Sequence, residues 1–249
     1  EELEGQELLE EVLYEKSHSL AKEKLEVEIL LEKAREALSA GLDAKTEKLF
    51  ENLFILQQEE GNPALKVLIF TEFMATQQML KKHLEDRGFK VSCLNGTMEV
   101  DERKNAQLDF AGEAQILVST DAGGEGLNLQ FCHIVINYDM PWNPMRLEQR
   151  IGRVDRIGQT YLVKAQNFMY EETVEFRVRQ VIEEKLERIK KDLGIDKTGD
   201  VLDSALAGKM FEAIYVEAVL KPEKLVEQAA KTFFEFTQEA KYKKEQDEL

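Results

Sequence analysis

Between Lys66 and Met169 short β-branched runs bounded by turns alternate with amphipathic stretches of helical length, and this alternation constrains the fold more than any other feature of the chain. The runs VLIF (67–70), VSCL (91–94), ILVS (116–119), HIVINY (133–138) and VKAQNF (163–168) read as buried strands. The stretches 74–87, 99–111, a short one after Gly124, and 144–157 predict helices between them. Strands of this kind joined by helices specify an α/β fold, a parallel sheet covered by helices on both faces. Such a sheet places its working loops at the carboxyl ends of the strands. Those loops are TEF after Phe70, NGT after Leu94, TDAGGEG after Ser119 and DMPWNP after Tyr138.

The flanks follow a different period. Residues 1–62 are rich in Leu, Glu, Lys and Ala, with Leu20, Val27, Leu30, Leu31, Ala34 and Leu38 at helical spacing and a break at Gly41, so they predict a helical lead-in. Asn62-Pro63 ends it, and residues 63–170 form the expected α/β domain. From 171 to 249 the period is helical again. Val174, Val178, Val181, Ile182, Leu186 and Ile189 form one stripe, and Gly194, Gly199 and Gly208 divide the remainder of this appendage. At 249 residues the chain has room for one substantial core with helical extensions. It begins at Glu1 rather than Met, which is the expectation for an excised fragment or for a processed chain.

A net charge of −16 argues against a protein that coats nucleic acid by bulk electrostatics, so any DNA contact is expected to be local. The acidic start, from Glu1 to Glu36, reads as a solvated helix face. Without a long apolar run or a signal-like start, the expectation is a soluble intracellular protein with no membrane partner. Cys93 and Cys132 lack metal-ligand spacing and read as packed thiols, and His18, His83 and His133 show no paired arrangement. No metal site is expected.

The segment QRIGRVDRIGQ, residues 149–159, is the densest in chemistry. On a helix Arg146, Arg150 and Arg153 share a face, Gly152 permits close backbone approach and Arg156 follows on the next turn. Guanidiniums are always charged and fork onto oxyanions, which suits a polyphosphate. A surface helix whose arginines pair with Glu148 and Asp155 accounts for the same spacing. In TDAGGEG, Asp121 at the start of a helix, the glycines and Glu125 fit either a ligand-approaching loop or a helix-capping turn. Trp142, between Pro141 and Asn143-Pro144, reads as a packing residue, with Pro144 opening the next helix.

QRIGRVDRIGQ resembles motif VI of superfamily 2 helicases, and its RIGQ ending resembles the Swi/Snf-type branch of that superfamily. VLIFTEF resembles motif IV, LNGTMEVDER the motif that follows it, STDAGGEGLNLQ motif V, and INYDMPWNP the segment before motif VI. The ordered match runs from Val67 to Gln159. The resemblance implies the C-terminal RecA-like lobe of a Swi/Snf-type, DNA-dependent ATPase. It makes Arg153 and Arg156 arginine-finger candidates and places Gln149, Asp121, Gly124 and Glu125 at the ATP site, with Arg150 as a support for the helix or a local carboxylate. DNA-backbone contacts fall on Thr71, Asn95, Gly96, Thr97, Ser119 and Thr120, residues that are also ordinary turn formers.

The chain has no GxxxxGK[ST] loop and no DExH-type quartet, which in this family lie on the N-terminal lobe. The chain alone is therefore expected to hold no ATP stably and to hydrolyse it negligibly. ATP with Mg²⁺ is expected between this lobe and an N-terminal RecA-like lobe. Double-stranded DNA is the implied partner, the helical flanks are candidate protein-binding segments, and the implied location is the cytoplasm or nucleoid, or a eukaryotic nucleus. The alternatives are a non-catalytic RecA-like scaffold, or a dinucleotide enzyme using TDAGGEG, whose glycine spacing is not GxGxxG.

Overall fold

The computed structural model describes residues 22–37, 39, 41–124, 128–141, 143–171, 173, 176–181, 183–184, 214–216, 220, 229 and 231–232. Glu125, Trp142, His18, Leu20, Leu38, Val174, Ile182, Leu186, Ile189, Gly194, Gly199 and Gly208 lie outside them. The chain divides into two compact units, Glu1–Glu51 and Asn52–Leu249. In the first, residues 22–37 form a helix, α1, whose side chains are all exposed, Val27 and Leu30 included. The second helix, α2 (Ala44–Glu59), precedes the sheet.

The sheet has five strands: β1 (Val67–Phe70), β2 (Val91–Leu94), β3 (Ile116–Ser119), β4 (Ile134–Asn137) and β5 (Lys164–Asn167). All pairings are parallel, in the order β2-β3-β1-β4-β5. The three central strands are buried throughout, which is why their sequences are unbroken apolar runs, whereas β5 at the edge alternates half-buried and exposed residues. The connecting helices are α3 (Met74–Glu85), α4 (Val100–Ala111), a short α5 (Asp121–Gly124) and α6 (Pro144–Ile151). Leu68, Phe70, Leu94, Phe110, Leu117, Leu129, Cys132, Val135 and Val154 form one core cluster. Burial pushes the Cys132 thiol up to about 12 and the Cys93 thiol up to about 11, so both are inert packed thiols at neutral pH.

Two expectations are corrected at helix ends. The short helix of the TDAGGEG segment starts at Asp121 instead of following Gly124, because Thr120 Oγ1 accepts from Gly123 N at 3.3 Å and supplies the turn. Asp121 is therefore inside the helix and its carboxylate is not the cap. The expected helix over 144–157 stops at Ile151, and Gly152 to Gly158 form successive turns. Its start is as read: Pro144 occupies the first turn and Asn143 Oδ1 accepts from Met145 N at 2.9 Å.

The strand order reverses direction about β1, since β3 lies on one side of it and β4 on the other. The chain leaves β1 for β2 on one side and later passes back over it to β4 and β5 on the other, so the carboxyl ends of β3, β1 and β4 stand side by side at the reversal. Among the described residues no helix is long and apolar enough to cross a membrane.

Candidate functional site

Arg150 lies against the carboxyl ends of β3, β1 and β4. Its side chain is 2% exposed, and α6 delivers it inward between Leu147 and Val154, which are also buried. Nε donates to Asp121 Oδ1 at 2.5 Å and Nη2 to Asp121 Oδ2 at 3.0 Å, the bidentate fork of an arginine on a carboxylate. Nη1 donates to the Asp139 carbonyl at 2.7 Å and to Asn137 Oδ1 at 3.3 Å. The guanidinium carbon lies 5.2 Å from the centre of the Phe70 ring. Arg150 thus ties the ends of β1, β3 and β4 to α6.

Carboxylates complete this cluster. Thr71 Oγ1 donates to Asp139 Oδ2, and Glu72 N donates to the same oxygen at 3.3 Å. Burial raises the half-buried Glu72 carboxyl above its ordinary range, with Asp121 and Asp139 adding repulsion against the pull of Arg150 and Arg146. The Arg150 charge is thereby matched internally, which removes it from the groups able to hold a phosphate. The expected single face of Arg146, Arg150 and Arg153 does not form. Arg146 is exposed with Nη1 3.7 Å from Asp121 Oδ2, Arg150 is buried, and Arg153 lies beyond the helix end. Glu148 and Asp155 are both exposed, and the carboxylate partner of Arg146 and Arg150 is Asp121.

Arg153 and Arg156 sit on the turns after α6. Arg153 is half-buried, and its guanidinium makes no hydrogen bond or ion pair among the described residues. Arg156 is exposed; its Nε donates to the Gly152 carbonyl at 3.0 Å, which holds the side chain while its Nη groups remain open among the described residues. Gln149 is exposed on α6. Among the described residues these side chains keep uncommitted donors, in contrast to Arg150.

The residues expected at nucleic acid divide into two sets. Thr71, Asn95, Ser119 and Thr120 are buried, and internal bonds engage their side chains. Gly96 and Thr97 are exposed at the tip of the turn after β2. That turn is built by residues the sequence reading did not single out. Gln77, fully buried on α3, donates to the carbonyls of Leu94 and Val118 at 2.8 and 2.9 Å and accepts from Asn95 Nδ2 at 3.0 Å. Asn95 Oδ1 accepts from Thr97 N and Oγ1 at 3.1 and 2.8 Å, and Arg103 donates to the carbonyls of Met98 and Gly96, both at 3.1 Å. A long-range hydrogen bond has no local sequence signature, so Gln77 reads only as a helix residue.

The turn after β2 and the α5 turn touch without room for a side chain. A Cβ at Gly123 would stand 2.5 Å from Asn95 N and from the Leu94 carbonyl carbon, and one at Gly96 would stand 2.9 Å from Ala122 Cβ. Gly123→Ala is expected to destabilise the domain by about 1–3 kcal/mol, because the obstruction is backbone. Helix propensity alone would give the opposite sign, by about 1 kcal/mol. Urea denaturation decides: a midpoint that holds or rises means that the two turns can part.

Residues 44–158 match the family "Helicase conserved C-terminal domain". The ATP-dependent helicase YqhH of Bacillus subtilis, itself uncharacterized, is 44% identical over 129 residues, covering 52% of this chain and 23% of YqhH. RNA polymerase-associated protein RapA of Vibrio cholerae is 36% identical over 110 residues, 43% of this chain and 11% of RapA. The crystal structure of the C-terminal part of the Fun30 ATPase domain superposes with a TM-score of 0.51 at 26% identity, over 63% of this chain and 53% of that one. Residues 44–158 thus carry a helicase conserved C-terminal domain, similar to segments of YqhH, RapA and the Fun30 ATPase domain and in keeping with the resemblance to Swi/Snf-type ATPases of superfamily 2. The chain spans less than a quarter of the YqhH and RapA sequences.

Proposed function

We propose that this chain is the C-terminal lobe of an ATP-dependent translocase or remodeller of double-stranded DNA, and that it supplies Arg153 and Arg156 to an ATPase site completed by an N-terminal RecA-like lobe. The observation that carries this reading is the contrast among the arginines of one segment. Arg150 is neutralised by Asp121 in the interior, while among the described residues Arg153 and the exposed Arg156 keep open donors on the turns that follow. Guanidinium donors not committed within the fold are what charge developing on a transferred phosphoryl group calls for.

ATP is the substrate of this reading, and its Mg²⁺ neutralises phosphate charge when bound. Gln149, exposed on α6, is assigned to the same site. Asp121 acts indirectly, by orienting Arg150, and Gly124 ends the α5 turn beside it. The Lys and carboxylates that cradle phosphates and metal belong to the other lobe, and among the described residues no cluster of His, Cys, Asp and Glu fits a metal ion. Closure of the two lobes on ATP brings the arginines to the phosphates, and reopening after hydrolysis moves one lobe along DNA.

DNA contact falls on the backbone phosphates through Gly96 and Thr97. Buried Thr71, Asn95, Ser119 and Thr120 shape the loops beneath, a narrower assignment than direct contact by all six. Backbone contact without base readout is what a translocating motor needs, and a net charge of −16 keeps it local. The names of the relatives, a helicase and a polymerase-associated protein, support action on DNA-bound machinery inside the cell. The helical flanks are proposed as protein-binding segments.

DNA-stimulated ATP hydrolysis by the 249-residue chain, alone and mixed with the complementary N-terminal lobe, tests this reading. The expected result is silence alone and turnover in the mixture. Turnover by the chain alone would reveal a catalytic centre of its own, and silence in a mixture shown to associate would favour a scaffold.

A further inference from the structure

Two glutamine side chains clasp the turns that carry the arginines. Gln159 Nε2 donates to the carbonyls of Gln130, Cys132 and Val154, each at 3.0 Å, and its Oε1 accepts from Tyr161 N at 3.0 Å. Gln130 Nε2 donates in the other direction, to the Ile157 carbonyl at 2.6 Å. Between them Leu129 N donates to the Arg153 carbonyl at 3.0 Å, and Leu129 and Val154 lie in the same buried cluster. Gly158 reverses the chain with φ +102°, a conformation that L side chains rarely adopt.

The chemistry of the clasp requires an amide. Its nitrogen offers two hydrogens to three carbonyls that converge from two segments, one hydrogen being shared, and its oxygen accepts from a backbone N–H. A carboxylate at the same place would face those carbonyls with no hydrogen to give. Without the clasp, the exposed residues Asp155, Arg156, Ile157 and Gly158 would keep their local turn hydrogen bonds, with the buried Val154 side chain and the Leu129–Arg153 backbone bond beside them.

We propose that Gln159, seconded by Gln130, is a positioning residue: it fixes the turns from Gly152 to Gly158 and thereby sets where Arg153 and Arg156 present their guanidiniums. This rests on the proposed role of those two arginines at ATP. Neither glutamine touches the reacting atoms, so the expected signature is a defect in the chemical step with nucleotide binding preserved.

The test is steady-state ATP hydrolysis at saturating DNA in the two-lobe protein, with Gln159→Glu as a near-isosteric variant and Gln130→Met as a milder one. Gln159→Glu is expected to lower kcat on the order of 10²-fold, the scale of a misplaced catalytic group, while KM for ATP changes little. Gln130→Met is expected to lower kcat less, in the same direction. In a protein already carrying Arg153→Ala and Arg156→Ala, Gln159→Glu is expected to add no further loss. A kcat per correctly folded molecule equal to wild type, or a full additional loss in the arginine-free background, overturns the proposal. If Gln159→Glu does not fold, an unchanged kcat in Gln130→Met does so by itself. Should removal of the arginines leave turnover intact, the ATP reading fails and this inference with it. Arginine-dependent turnover that is indifferent to Gln159 defeats the clasp alone.

Discussion

Replacing Arg153 and Arg156 together by alanine in the two-lobe protein is expected to lower kcat for DNA-stimulated ATP hydrolysis by about 10³–10⁵-fold, the range over which arginine fingers act in phosphoryl transfer. The physical reason lies in the timing of the interaction. Charge spreads over the transferred group most strongly in the transition state, and a guanidinium held in a closed, water-poor cleft stabilises that distribution without reorganising. The same substitution is expected to leave the fold nearly as stable as before. Arg153 has no side-chain partner among the described residues, and Arg156 is exposed with one local bond to the Gly152 carbonyl. Changes at such positions usually fall within about 0.5 kcal/mol. DNA affinity, read from binding at matched salt, should also hold, since the exposed Gly96 and Thr97 lie on a different turn. Unchanged turnover would sink the finger assignment. Lost turnover accompanied by unfolding would mean that these side chains are structural.

The opposite pattern is expected at Arg150. Arg150→Ala leaves the Asp121 carboxylate, the Asp139 carbonyl and Asn137 Oδ1 without their charged donor, and removes the group that joins three strand ends to α6. Breaking a buried pair from one side costs about 3–5 kcal/mol. Asp121 is 26% exposed, so water recovers part of this and the lower end, about 3 kcal/mol, is expected. Urea denaturation of the 249-residue chain measures it without the second lobe. Arg150→Lys should recover only part of the loss, because an ammonium cannot fork onto both Asp121 oxygens while reaching the Asp139 carbonyl. A loss below about 1 kcal/mol for the alanine variant would mean that water replaces the guanidinium and that the strand ends are held by something else.

These two expectations separate arginines that look alike in QRIGRVDRIGQ. Helical spacing put Arg146, Arg150 and Arg153 on one face, but spacing is informative only as far as the helix runs, and α6 ends at Ile151. The Asp121 that neutralises Arg150 is remote in sequence and arrives from the end of β3. TDAGGEG was likewise legible as a capping turn or a ligand loop, and the folded chain makes it a third thing, a carboxylate clamp on Arg150 packed through Gly123 against the turn after β2. Gln159 was visible only as part of a family-like string; its role emerges from carbonyls at 130, 132 and 154 meeting at one amide.

The strands, their parallel arrangement and the four working loops follow from local physics. A run of apolar β-branched residues can satisfy both burial and backbone pairing only in the middle of a covered sheet, and helix periodicity between such runs leaves little other architecture. The start of α6 was equally local, since Asn143-Pro144 caps and opens a helix through contacts within two residues. The apolar spacing of α1 announced its helicity but not its burial: Val27 and Leu30 are exposed, because a stripe states what a helix is able to cover and not what is there to cover. By itself, then, the sequence determined the α/β class, the order of the elements and the segments that face the working edge, all properties of residues close together in the chain. Which arginine is neutralised, which hydroxyls are buried and how the arginine turns are held were decided only by the tertiary structure, because each depends on partners that folding brings together from distant strands.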